Sequence, residues 1–582
     1  MATQEQKKDY KVVKDFIGVN TKANRTAIKE EEFSWLENAM PIGSANVRVV
    51  PAPTTVAGVT FAASVVYSTY GNLGTTNYYL AFLSDGSAVQ VTLPGGATTA
   101  IGAAGTFSTS GVQATQWNNT IILIIDPSKG YFQWNGTNLV KVGSLSFALS
   151  GTGIGYTSAT TVTVGAPNQT GGTQSVISLT ISGGAITAVT AYGTGLSAGT
   201  GYTSPPTVTL GAPGSGQTIT ASLISQPGTA IASFAGRVWI ANGRTLYYTA
   251  AGTNNDFISV SAGNIIFNDS TLIGNITQLV SANNFLYVFG TDSINVISDV
   301  RVNTSTGATL LTNTNISASV GTDLPYAMMP YFRSIVFMNR YGVYALVGST
   351  TSKLSDALDG VFPYIDFTNN VSAGQVLVYN ILCAAFNFYV SSSFPYGTGG
   401  ARWVQAVYFD KKWFFTSQNA VTFISSIPVS GSAVLFTTTG TDLQKAYQSS
   451  TASINSYIQP ALYGMGNIIR DKQALKFGVE AILPAALGNN LTATVDSENA
   501  SSPSVTLSNF NAVSWLNNSG IIVSWRNGSS QTVLWGNATT GYYLYRNDAE
   551  MWGKYISLTV TSSSPNWTMT GIQFETELRA RF

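Results

Sequence analysis

The chain has 582 residues, 44% apolar and only 9% charged, with a net charge of +1. That length allows roughly two to four domains, and a surface so poor in charge must draw its polarity from Ser, Thr, Asn, Gln and Gly, residues that favour turns and strands over helices. Histidine is absent, which removes the usual general base at neutral pH and the commonest metal ligand and excludes Ser-His-Asp and Cys-His nucleophilic machinery.

Cys383 is the sole cysteine, so neither an internal disulfide nor a His/Cys zinc site exists. Its apolar neighbours Ile381, Leu382, Ala384 and Ala385 predict a buried, inert thiol. No Lys/Arg block is present to grip nucleic acid. No apolar run reaches the ~18 residues of a membrane helix; the nearest, Val376 to Val390, is broken by Asn380 and Asn387. The N-terminus is charged and lacks the apolar core of a signal peptide, so the expectation is a soluble protein made in the cytoplasm.

In chain order, residues 1–50 differ from the rest. The first 37 residues hold 14 of the 55 charges, among them Lys7, Lys8, Lys11, Glu30, Glu31 and Glu32. This segment reads as a charged N-terminal arm with one short helix near Ile28 to Ala39, its apolar face formed by Leu36 with Phe33 or Trp35 and its end set by Pro41.

From residue 51 a pattern repeats: a polar corner, an apolar strand, a Gly/Asn/Asp turn, a second strand. It occurs at Tyr78–Phe82 with turn Asp85-Gly86 and Ala88–Val91, then at Trp117 to Ile125 with Tyr131–Trp134. It returns at Phe234 to Ile240 with turn Asn242-Gly243, at Ala282 to Phe289 with Ile294–Ile297, and at Phe332 to Met338 with Val343–Val347. Looser copies lie at Val404–Phe409 with Trp413–Phe415 and at Ala433–Thr437. Asn-Gly and Asp-Gly between apolar runs are strong hairpin signals, because type I′ turns need positive φ twice. A spacing of about 50 residues suits four-stranded propeller blades. A plain stack of hairpins in a sandwich would use the same turns; the spacing favours the propeller, over 51–147 and 227–450.

The interruption at 148–226 is a Thr/Gly-rich β domain with an internal repeat. GYTSATTVTVGAP at 155–167 and GYTSPPTVTLGAP at 201–213 match at ten of thirteen positions, 46 residues apart. An exposed decoration or subunit contact is the expectation, ahead of a carbohydrate site on Tyr156 and Tyr202. Residues 451–582 hold further alternating strands, including Leu491–Val495, Ile521–Trp525, Thr532–Trp535, Tyr542–Tyr545, Tyr555–Val560 and Ile572–Glu577, and read as a C-terminal β-sandwich-like domain. In the last, Gln573, Glu575 and Glu577 share a face as a solvated or interface stripe. The fold class expected is therefore all-β: a β-propeller, a small inserted β domain and a C-terminal sandwich.

Catalytic chemistry without histidine would need paired carboxylates, about 5–10 Å apart in a glycosidase. Asp496/Glu498, Asp548/Glu550 and Glu575/Glu577 are i, i+2 pairs, but none has a recognisable context. Asn254-Asn255-Asp256 could contribute oxygen ligands to Ca²⁺ but lacks EF-hand spacing. The Gly-x-Gly triplets fall in turns between strands and are not nucleotide loops. No catalytic, cofactor-binding or metal-binding residue is assigned, and no enzyme activity is expected.

Three stretches resemble a known family. The first is Asp15-Phe16-Ile17-Gly18-Val19-Asn20-Thr21, with Phe33-Ser34-Trp35-Leu36-Glu37-Asn38-Ala39 and Arg48-Val49-Val50-Pro51. The second is Ile276-Thr277-Gln278-Leu279 with Phe285 to Gly290 and Ile294, continued by Lys353-Leu354-Ser355-Asp356 and Phe362. The third is Arg470 to Gly478, Gly553-Lys554-Tyr555 and Glu577-Leu578-Arg579-Ala580-Arg581-Phe582. Together they resemble podovirus tail nozzle proteins (tail tubular protein B-like) and related tail hub proteins; the 148–226 insertion lies outside the likeness. The resemblance implies a structural part of a short-tailed phage virion, assembled in the host cytoplasm. Its expected form is a homo-oligomeric ring of six below the portal and adaptor, beside tail fibres or spikes, with DNA passing through unbound. A near-neutral wall suits such passage, since each Lys or Arg pairing with phosphate adds affinity. Alternatives are another tail hub or head-completion protein, or a glycan- or receptor-binding propeller using Trp403 or Trp413 as stacking platforms.

Overall fold

A computed structural model describes residues 8–579, apart from 95, 225, 269, 271, 273, 418–419, 430, 485–488, 509–514, 517–521, 524, 527, 529–531 and 534–540. Among the described residues there is no α-helix; two 3-10 turns, Asp356–Leu358 and Phe362–Tyr364, punctuate a chain of strands.

Seven four-stranded antiparallel units succeed one another among the described residues. Blade 1 spans Val65–Leu73 to Ala97–Gly102, and blade 2 spans Gln113–Trp117 to Leu139–Lys141. Blades 3, 4 and 5 begin with Ala230–Phe234, Ile276–Ala282 and Met328–Tyr331, and blade 6 runs from Ser372–Val378 to Lys412–Thr416. Blade 7 takes three strands from Phe423–Val429 to Asp442–Ser449 and its fourth, Ala52–Thr60, from the N-terminal side. That last strand closes the propeller, joining its two ends by hydrogen bonds.

Separate apolar clusters weld neighbouring blades. Val59, Tyr79 and Phe436 join blades 7 and 1; Leu80, Ile124 and Trp134 join 1 and 2; Leu123, Tyr131 and Ile240 join 2 and 3; Phe289 and Phe337 join 4 and 5. Middle strands are therefore buried on both faces, as in Ile121–Asp126, whereas the innermost strand of blade 6 alternates strictly. The repeated polar corners are the turns from first to second strand. Asn118, Asn119, Ala235, Asn283, Asn284 and Phe332 all hold positive φ there. Gly86, at φ +79°, is required by space as well: a Cβ would lie 2.5 Å from the Phe107 carbonyl oxygen.

The region after residue 451 is a two-sheet sandwich built from both ends of the chain. One six-stranded sheet orders Ala39–Ile42, Asn46–Val49, Thr568–Leu578, Lys472–Leu483 and Gly541–Gly553, with Lys8–Val13 also on Thr568–Leu578. The facing ten-stranded sheet begins as blade 6, passes through a single parallel pair, Glu37 with Phe415, into Glu32–Glu37, and continues through Ser456–Pro460, Ile556–Ser562, Asn490–Ser497 and Val505–Ser508. Propeller and sandwich thus share one continuous sheet and one core.

The N-terminal segment departs from expectation. The short helix predicted near Ile28 to Ala39 is the strand Glu32–Glu37, and the arm is a strand at Lys8–Val13. Phe33, Trp35 and Leu36 are all buried, because this strand is covered on both faces. Of the strands expected at 521–525 and 532–535, residues 521, 524, 534 and 535 lie outside the described residues, as do Met1 to Lys7 and Ala580 to Phe582.

The insertion leaves blade 2 and returns to blade 3 on a long two-stranded stalk, Ser144–Ile154 with Ser215–Ile224. Its two repeats pair antiparallel with each other: Val162 opposes Leu210, Thr163 opposes Thr209, and Val164 opposes Val208. Thr163 and Thr209 are equivalent residues of the repeat, so a local twofold axis passes between them. The insertion has its own small core, including Leu145, Val164, Ile177 and Tyr202.

Candidate functional site

An aromatic plug fills part of the propeller axis. Tyr67 and Phe423, on the innermost strands of blades 1 and 7, meet Tyr326 from the link between blades 4 and 5. The Tyr67 and Tyr326 rings stack at 4.9 Å, and Phe423 stands edge-on to them at 6.4 and 5.8 Å. The Tyr326 hydroxyl donates to the Val112 carbonyl (3.0 Å) ahead of blade 2, and its own carbonyl accepts from the Ala373 amide of blade 6. Burial pushes the Tyr67 and Tyr326 hydroxyls above the ordinary tyrosine range. Beside this plug a cavity of about 570 Å³ opens, lined by Gln278, Met328, Gln375, Ser425 and Ser426, with no charged side chain.

The carboxylate pairs do not form an acid–base site. Asp496 is buried against Arg25, with Thr559 and Ser501 hydroxyls also donating to it. Glu498 accepts the Lys554 and Tyr555 amides at 2.8 and 2.9 Å, which outweighs partial burial and holds it below the usual glutamate range. Glu575 is bonded to Lys8 at 2.7 Å and is likewise lowered. Asp548 and Glu550 point to solvent from Gly541–Gly553. Among the described residues no three Cys, Asp or Glu side chains gather to hold a metal. Asp256 is buried, with its carboxylate spent on the Ile258 and Ser259 amides. Cys383 is fully buried, and burial pushes its thiol up to about 12.

The proposed stacking platforms are mostly inside. Trp413 is buried, with its indole N–H donating to the Leu354 carbonyl at 3.1 Å. Tyr156 and Tyr202 are buried in the insertion, the Tyr202 hydroxyl donating to the Gly165 carbonyl and accepting from the Ser175 amide. Trp403 is half-buried against Tyr389.

What remains is the outer face of the six-stranded sheet. Cross-strand register brings Tyr10, Glu575, Lys476 and Asp548 into one row, and Val12, Gln573, Gly478 and Arg546 into the next. The predicted acidic stripe is thus neutralised by bases on both flanking strands. Glu480, buried, is reached by Lys14 (3.0 Å) and by the Gln573 amide. Large apolar side chains stand out among these charges: Tyr10 is 72% exposed and Trp552 51%, with the Arg579 guanidinium 5.4 Å from the Trp552 ring centroid. The sequence reading singled out Glu575 and Glu577 but missed Tyr10, Val12, Leu544 and Trp552. The alternation in Lys8–Val13 and in Leu544-Tyr545-Arg546-Asn547-Asp548 was the available signal.

No protein-family model matches the chain, and no curated protein matches it. Among solved structures, an extracellular domain of BT4673 from B. thetaiotaomicron aligns with 92% of this chain and 62% of its own length, at 10% identity and TM-score 0.35. This chain therefore spans less than two thirds of that one. BBS1N, solved in complex with ARL6DN, aligns with 68% of this chain and 96% of its own, at 10% identity and TM-score 0.33. Neither likeness bears on function, and the fold stands on the sheets themselves. No helix among the described residues is long and apolar enough to cross a membrane.

Proposed function

We propose that this chain is a non-enzymatic structural subunit of a short-tailed phage virion, forming the tail nozzle ring that continues the DNA exit channel below the portal and adaptor. The observation that carries the reading is where the resembling stretches fall. The opening motifs at 15–21, 33–39 and 48–51 and the closing motifs at 470–478, 553–555 and 577–579 are distant in sequence but lie in one sandwich, locked by Lys8–Glu575, Lys14–Glu480 and Arg25–Asp496. They serve one platform continuous with blade 6.

Two further features support it. Tyr67, Tyr326 and Phe423 fill part of the propeller's own axis and leave a cavity of only about 570 Å³ there, so a channel for DNA belongs between subunits, not within one. The insertion, from Ser144 to Ile224, carries no Asp, Glu, Lys or Arg, a composition that offers phosphates no cation to pair with. The partners are copies of the chain, adaptor-side tail proteins and fibres or spikes.

Native mass measurement combined with low-resolution imaging of the assembled particle tests the reading. A six-membered ring on the tail axis is expected. A trimer, or a position away from the axis, overturns it.

A further inference from the structure

Three strands of the six-stranded sheet pair on one side only among the described residues: the short Ala39–Ile42, on Asn46–Val49, and two longer ones. Lys8–Val13 pairs with Thr568–Leu578, and Gly541–Gly553 pairs with Lys472–Leu483. Each leaves a row of backbone N–H and C=O groups for another strand. Folded proteins usually blunt such edges with proline, charged side chains, a bulge or extreme shortness. The Lys8–Val13 strand has six residues in unbroken register and no proline, with Tyr10 and Val12 exposed among the charges of Lys8, Asp9 and Lys11. Gly541–Gly553 is thirteen residues long, in continuous register from Gly541 to Asp548 with one shift beyond, and exposes Leu544 and Trp552.

The two edges match each other. Strand directions alternate through the sheet from one edge strand to the other. The Lys8–Val13 strand of a second copy therefore meets Gly541–Gly553 antiparallel, with the two outer faces continuous. Side chains on that face are Lys8, Tyr10 and Val12 on one strand and Leu544, Arg546 and Asp548 on the other. One register sets Lys8 opposite Asp548, Tyr10 opposite Arg546 and Val12 opposite Leu544: an ion pair, a cation–π contact and an apolar contact. A two-residue slip one way puts Val12 against Arg546 and Tyr10 against Asp548. A slip the other way puts Lys8 against Arg546.

We propose that copies of this chain assemble by strand addition, the Lys8–Val13 edge of one subunit completing the Gly541–Gly553 edge of the next in that register. Because the edges differ, the contact is head-to-tail and propagates into a closed ring or a filament. The proposal names the joint of the ring suggested under Proposed function, but its test stands apart from that reading.

The full chain carrying both Tyr10→Cys and Arg546→Cys is oxidised mildly and run on a denaturing, non-reducing gel, with each single variant beside it. Cys383 is buried and contributes no band. A covalent ladder from the double variant, with monomer from each single variant, is the expected result. Asp548→Lys is expected to weaken assembly about tenfold, with the melting temperature of the subunit as a folding control. A dimer from Tyr10→Cys alone overturns the proposal, as does a monomeric wild type at micromolar concentration. A six-membered ring without the ladder sinks this joint and leaves the nozzle reading standing. A ladder from a particle that is not a phage tail does the reverse.

Discussion

Arg25 and Asp496 are 471 residues apart in sequence, and a guanidinium nitrogen of one lies 2.8 Å from a carboxylate oxygen of the other. The same Arg25 donates to the carbonyls of Pro460 and Leu558 (2.7 and 3.2 Å), so one side chain clamps the N-terminal segment onto three sandwich strands. Both groups are largely buried. Removing one partner of such a pair leaves the other unpaired and costs about 3 kcal/mol or more, whereas replacing both with apolar groups costs less. Arg25→Met is expected to lower the urea midpoint sharply, and Arg25→Met with Asp496→Leu to recover part of the loss. A single variant with wild-type stability would show that the clamp is dispensable.

Tyr326 acts similarly for the propeller, bridging blade 6 and the start of blade 2 across the axis. Tyr326→Ala removes a large ring from the plug, an expected loss of about 3 kcal/mol. Tyr326→Phe keeps the ring and loses the bond to Val112, an expected loss of about 1 kcal/mol. Denaturant unfolding of the two variants checks the ratio. Equal losses would mean that the hydroxyl, not the ring, holds the axis.

The pH dependence follows from what is present and what is missing. Hydrogen bonds lower Asp85, Asp366 and Glu575, and outweigh burial at Asp126 and Glu498. Groups lowered on folding stabilise the native state above their unfolded pKa, near 4, and lose that contribution as pH falls through the folded values. Cys383, raised to about 12, and the buried Tyr79, Tyr447 and Tyr463, also raised, act in the opposite sense. Their contribution is complete below the unfolded pKa, about 8.5 to 10, and is lost as pH rises beyond it. With no histidine, stability should be level from about pH 5 to 8 and fall on both sides. Urea midpoints across that range check this; a step near pH 6.5 would contradict it.

The hairpins were readable in the sequence because their chemistry is local. Asn242-Gly243 and Asp85-Gly86 announce turns that lie where the pattern placed them, between the second and third strands of blades 3 and 1. The Glu32–Glu37 strand was not readable. Its order in the ten-stranded sheet is set by Ser456–Pro460, hundreds of residues away, and burial on both faces erased the alternation that marks a strand. The closing strand Ala52–Thr60 is equally non-local, its partner being Asp442–Ser449. Charge gives no local clue to burial here: Glu37 is buried and accepts from the Trp35 indole (2.6 Å) and the Arg402 guanidinium (2.9 Å) at the joint of propeller and sandwich. The outer sheet face combines strands from both chain ends, so only its individual alternations, not its assembled pattern of charge and aromatics, could be read in advance.

The insertion should be removable. Ser144 and Ile224 face each other across the base of its stalk, and blade 2 is complete at Lys141 before the stalk begins. A directly opposed antiparallel pair is the spacing a two-residue type I′ turn spans, so replacing 145–223 with Asn-Gly restores a plain link from blade 2 to blade 3. Few contacts are given up. Lys141 loses bonds to Gln169 and Gly201, and Asn255 loses those to Gly199 and Tyr192. The core between blades 2 and 3, with Val142 and Ile231, stays intact, because the insertion packs its own residues around Leu145 and Tyr202. The shortened chain is expected to unfold in one cooperative transition, within about 2 kcal/mol of the parent. It should also keep the oligomeric mass, since the joint proposed between Lys8–Val13 and Gly541–Gly553 lies in the sandwich. Loss of the assembly with the subunit still folded would instead place the insertion at the contact between copies.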